Sequence, residues 1–129
     1  MKKLFTALFM LLTVSVFSQS FLYTFDSIEA KTSKGHIQTE TESSIIYNKD
    51  PKDKISGSLN IFTDTQNEVF FQRSPVYSDT MNNVEIINFS VYSNSDSEMY
   101  NVYIDEDRQN ITISNYNNPE DYIIFYNKL

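Results

Sequence analysis

The chain has no cysteine and no tryptophan, and only 2 glycines, 3 prolines and 1 histidine in 129 residues. Without thiols there are no disulfides, no thiol nucleophile, no Cys-ligated metal and no thiol redox chemistry. With His36 as the lone imidazole, a multi-histidine metal site cannot form within the chain, and a Ser-His-Asp hydrolase would have to use that one residue as its base. No G-x-S-x-G elbow is present, and His36 follows Gly35 in a polar stretch, so it reads as a solvated loop histidine. So few glycines and prolines leave no linker or low-complexity block, and no internal repeat divides the chain.

Long apolar runs are also scarce. The one that stands out is Leu4–Phe17, behind the basic head Lys2-Lys3 and ahead of Ser18-Gln19-Ser20. A short positive head, an apolar stretch and small residues at a cut site make a secretory signal peptide, with cleavage expected after Ser18. The run is shorter than the roughly 20 apolar residues a spanning helix needs. The reading is therefore an exported protein, periplasmic or extracellular, with a leader at 1–18, a single domain at 19–129 and no membrane span in that domain. The Lys-Lys head, the Phe-Ser-Gln cut region and the Asn- and Tyr-rich strands resemble exported β proteins of Gram-negative bacteria. That likeness covers mainly residues 1–25 and carries no motif from which a role could be transferred.

Positive charge is in short supply as well. Of 10 basic residues, Lys2 and Lys3 fall in the leader, leaving 8 against 17 acids. The longest basic cluster, Lys49, Lys52 and Lys54, is broken by Asp50 and Asp53. Phosphate backbones repel such a surface, so nucleic acid is not an expected partner. The acidity suits solubility or a basic protein partner.

What the chain does have is aromatic and β-branched residues in alternation. Phe21, Tyr23 and Phe25 share one parity, as do Leu59 and Ile61, Tyr100, Val102 and Ile104, and Ile111 and Ile113. A period of two places each set on one face of a strand. Further strands are expected at Gly35–Thr41, Ile45–Tyr47, Val69–Gln72, Val84–Ser93 and Tyr122–Tyr126. Within Val84–Ser93 the apolar parity switches at Ile86–Ile87, which predicts a β-bulge there or, as the alternative, a strand buried on both faces. Arg73–Asn83 reads as a longer connection, with small helical turns expected, if anywhere, at Thr32–Lys34 or Tyr77–Met81. Short loops between successive strands favour sequential antiparallel pairing. The expected fold is all-β: an antiparallel meander of about eight strands, a curled sheet or small up-and-down barrel, with a two-layer sandwich as the alternative.

Candidate chemistry is sparse. Asn94, Asp96 and Glu98, and Asp105, Glu106 and Asp107, are acidic clusters at turns; the glycine and terminal glutamate of a calcium loop are missing. No nucleophile, base and metal set converges, so the expectation is a non-enzymatic protein with no cofactor. Asp26-Ser27-Ile28 and Asp79-Thr80-Met81 resemble the acceptor triplet of a periplasmic O-glycosylation system, the second being the better exposed. Tyr77, Tyr92, Tyr103 and Tyr116 fall near loops or opposite the apolar parity and form a candidate recognition surface. The function expected is a small β scaffold that binds an apolar ligand, in a lumen lined by Phe25, Leu59, Val102 and Ile113, or a protein. The alternatives are an acidic inhibitor or immunity-type protein blocking a basic partner, and a hydrolase.

Overall fold

A computed structural model describes residues 19–50, 52–53 and 55–128; the expected leader lies outside them. Eleven antiparallel strands form one sheet: β1 (Gln19–Phe25), β2 (Ser27–Thr32), β3 (Gly35–Thr39), β4 (Ser43–Lys49), β5 (Gly57–Thr63), β6 (Asn67–Gln72), β7 (Tyr77–Met81), β8 (Val84–Ser93), β9 (Glu98–Asp105), β10 (Asn110–Asn115) and β11 (Tyr122–Tyr126). No helix occurs among the described residues. The fold is all-β, as the alternation implies, and it is a single curled sheet rather than a two-layer sandwich.

The eleven segments make eight long strands. β1 and β2 run on from each other across Asp26, and β3 and β4 do so across residues 40–42, so together they form one long hairpin. Its pairing passes from Phe25↔Ser43 to Ile28↔Thr39, three steps on one strand against four on the other. The extra residue lies in the 40–42 stretch, and opposite it the first strand changes parity at Asp26–Ser27. Phe21, Tyr23 and Phe25 face inward before it, and Ile28 and Ala30 after it.

β4 then pairs with β5, β5 with β6, β6 with β8, β8 with β9, β9 with β10 and β10 with β11. β11 pairs with β2, so the circuit returns to the first hairpin. The sheet is an up-and-down barrel of eight long strands, which removes most of its open edges.

Inward-facing side chains fill its middle. Ile45, Leu59, Val91, Val102 and Ile111 are fully buried, with Phe25, Phe70, Phe89, Ile104 and Phe125 packed beside them. Tyr47 stacks between Phe89 and Phe21, at centroid distances of 4.8 and 6.1 Å. Its hydroxyl donates to Gln72 Oε1 at 2.9 Å, satisfying a polar group that burial would otherwise penalise. β5 starts on glycine because a Cβ at Gly57 would sit 2.8 Å from the Asn48 carbonyl oxygen and against Gln72.

Three expectations are corrected. The β8 register runs unbroken from Ile86↔Asp105 to Ser93↔Glu98, so there is no bulge at Ile86–Ile87. Ile87 faces the core opposite Ile104, and Ile86 lies on the other face opposite Asp105. The irregularity sits on the neighbouring strand: between Gln72↔Val91 and Tyr77↔Asn88, β6–β7 has two residues more than β8. Arg73 N donates to the Ser90 carbonyl and Ser90 N to Ser74 Oγ, both at 2.8 Å, bridging the gap.

The second correction is that Tyr77–Met81 is a strand, not a connection or helical turn. It joins β8 through Asn82-Asn83, whose φ angles of 52° and 64° make the primed turn that suits the twist of a hairpin. The third is that residues 32–35 form the tip of the β2–β3 hairpin rather than a helical turn.

Candidate binding cavity

The two ends of the barrel differ. At the end that carries the β2–β3, β5–β6, β8–β9 and β10–β11 connections, a cavity of about 510 Å³ opens between β2–β3 on one side and β9–β11 on the other. Its walls follow from strand parity. Ile61, Phe70, Tyr100 and Ile113 are the last inward-facing large side chains before their strands end, and with Phe125 they make its floor. The phase flip at Asp26–Ser27 turns Ile28 into the same space, opposite Phe125. The β2–β3 hairpin then overhangs the opening. There Ala30 pairs with Ile123 and with Ile37, so Ile123 and Ile37 carry inward parity, yet they are 39% and 65% exposed. Core-parity isoleucines with no neighbour over them mark an unfilled interior.

Above the floor the wall turns polar. Thr32, Thr39, Thr41, Thr63 and Thr65 line the opening, together with Glu68, Glu98 and Asp121. Glu68 Oε1 accepts from Ser95 Oγ at 3.0 Å, Glu98 Oε2 from Asn115 Nδ2 at 2.8 Å, and Asp121 Oδ2 from Asn118 Nδ2 at 3.3 Å. Tyr100 packs edge-on to Phe70 at 5.5 Å and donates its hydroxyl to Asp96. Burial first, and then Asp96, pushes the Tyr100 phenol well above its ordinary range, so it stays a neutral donor.

The lumen expected around Phe25, Leu59, Val102 and Ile113 is not open at that level. Leu59 and Val102 are sealed in the packed middle, and of the four only Ile113 borders this cavity. Phe25 instead borders a second hollow of about 470 Å³ at the bulge, beside Asp26, Glu42, Asp64 and Asn127. There Ser43 Oγ is buried with no hydrogen-bond partner among the described residues.

None of the four candidate tyrosines lines the barrel mouth. Tyr77 and Tyr103 flank Asn88 across three neighbouring strands on the outer face. Tyr92 lies under the Arg73 guanidinium, 5.5 Å from its ring centroid. Tyr116 is exposed in the β10–β11 connection, its N–H bound to the Met99 carbonyl. The structure therefore spreads them over the outer surface instead of gathering them. The tyrosines it does bring to the cavity are Tyr100, legible from its shared parity with Val102 and Ile104, and Tyr122, whose parity is opposite to that of Ile123 and Phe125 and gave no such signal.

The other motifs have local partners. His36 pairs with Glu29 on the outer face of the β2–β3 hairpin. Asp96 accepts from the Glu98 N–H within its turn, and Asp105 from the Arg108 N–H. Among the described residues no group of three His, Cys, Asp or Glu is arranged to hold a metal. Of the two Asp-Ser/Thr triplets, Ser27 is buried against Asp26, whereas Thr80 is exposed on β7.

No family model matches the chain, and neither curated proteins nor solved structures give a match.

Proposed function

We propose that this is an exported, non-enzymatic binding protein that holds one small, largely apolar molecule in the open end of its barrel. The observation that carries the reading is the unfilled mouth, where inward-facing Ile123 stands 39% exposed in the wall of a cavity of about 510 Å³ floored by Ile61, Phe70, Ile113 and Phe125. Its volume lies in the range of roughly 300–1,000 Å³ found for small-molecule sites. An eight-stranded barrel is wide enough for side chains alone or for one small ligand, and here the side chains fill only the middle. The rim supplies hydroxyl, amide and carboxylate groups to orient what the floor holds. The alternative of an inhibitor blocking a basic partner draws on the net charge of −7 and on no particular face.

The test is titration of the purified chain with the neutral fluorophore N-phenyl-1-naphthylamine. One saturable site is expected, with emission rising as the dye leaves water. Ile123→Trp places a bulky ring in the mouth and should weaken binding by at least about tenfold. Absence of saturable binding, or affinity indifferent to Ile123→Trp, would sink the reading.

A further inference from the structure

The charges around the mouth narrow the ligand class. We infer that the site selects a cationic amphiphile, an apolar body bearing an amine or similar cation, over a carboxylate-headed molecule of the same size. This rests on the binding reading above.

The geometry is layered. Residues two apart along a strand occupy successive levels of the same inward face. On β6, Phe70 lies at floor level and Glu68 one level above it. On β9, Tyr100 lies at floor level and Glu98 one level above. Asp121, immediately before β11, continues the ring of acids, with Ile123 one level below. An elongated guest with its tail on Ile61, Phe70, Ile113 and Phe125 would bring its head to the level of these carboxylates.

Among the described residues no lysine, arginine or histidine lines the cavity. None of the three acids makes an ion pair among the described residues. Their side-chain hydrogen bonds come from Ser95, Asn115, Asn118 and the Tyr100 hydroxyl, neutral donors that leave the negative charge uncompensated. An anionic head would meet like charge with no cationic side chain among the described lining residues, whereas a cation meets three carboxylates. The threonines accept hydrogen bonds from an ammonium as readily as they bond a hydroxyl, so they do not oppose this preference.

The decisive experiment is calorimetric titration with three molecules sharing one tail: dodecylammonium, dodecanol and dodecanoate, each below its aggregation limit. Dodecylammonium is expected to bind at least about tenfold more tightly than dodecanol, and dodecanoate more weakly than either. The advantage of the cation should shrink as salt is raised. In Glu68→Gln/Glu98→Gln it should collapse towards parity with dodecanol. Ile123→Trp separates the cavity from the acidic surface at large: binding in the mouth falls in that variant, while adsorption to outer carboxylates does not. Equal affinity for all three, or preference for dodecanoate, overturns the charge selection and leaves the binding reading intact. Binding of none of the three overturns both.

Discussion

At the scale of single residues, Tyr47 is where packing and polarity meet. Its ring is 4% exposed between Phe21 and Phe89, and its hydroxyl needs Gln72 to offset the loss of water. Burial first, and the neighbouring Tyr23 second, push its phenol from 10.0 up to about 12. The neutral form is favoured in the folded chain more than in the unfolded one. The stability this confers is complete below pH 10.0 and is lost as pH rises towards about 12, because the unfolded state ionises first. Tyr47→Phe should therefore flatten that part of the stability profile, while costing about 1 kcal/mol at neutral pH through the lost hydrogen bond to Gln72. Urea unfolding across the alkaline range checks both. A variant whose alkaline slope equals that of the parent would show that another group titrates there.

Between elements, the seam where β11 meets the first hairpin is the least regular part of the ring. On the side of the first hairpin β11 pairs only with Ser27–Lys31, and beyond it the chain is held by side chains. Asn127 accepts from Asp26 N–H at 3.0 Å and donates to the Thr24 carbonyl at 3.1 Å, so one amide stands in for a pair of ladder bonds. Asp26 returns the contact by accepting from Lys128 N–H at 2.9 Å. Those bonds hold its carboxyl below the usual range, Lys128 being the larger cause and Ser27 the next. Asn127→Ala should speed hydrogen exchange at Asp26 and its neighbours and lower global stability by only about 1 kcal/mol, since the rest of the circuit stays paired. Exchange unchanged at this seam would mean that the ring closes without the clasp. Strands were legible in the sequence where one face is buried and the other wet, as in Tyr100, Val102 and Ile104. β7 escaped notice because Tyr77–Thr80 are exposed and show no apolar alternation. β2 escaped because the bulge breaks its parity and Glu29-Ala30-Lys31 favours helix as much as strand. The parity switch in β8 was real, but its cause is that Ile86 faces outward opposite Asp79 and Asp105. Local sequence did not reveal how far Val84–Asn88 extends past its β6 partner.

For the molecule as a whole, one sheet builds two different environments: a sealed middle, and an end left open. The cavity could not be read from the sequence, because Leu59 and Ile123 look alike there; only the circuit of pairings decides that the first is covered from every side and the second is not. This division predicts opposite responses to shortening each side chain. Leu59→Ala removes a fully buried side chain from the packed middle and should cost about 2–5 kcal/mol. Probe affinity should change little, because Leu59 does not border the cavity. Ile123→Ala shortens a side chain that is 39% exposed and should cost less than Leu59→Ala, about 1–2 kcal/mol, yet it should weaken binding of an apolar probe by removing part of the wall. Urea midpoints and dye titrations on both variants measure the two effects separately. If the two variants lost stability equally, or if Leu59→Ala lost binding while Ile123→Ala kept it, the separation of a structural middle from a functional mouth would fall.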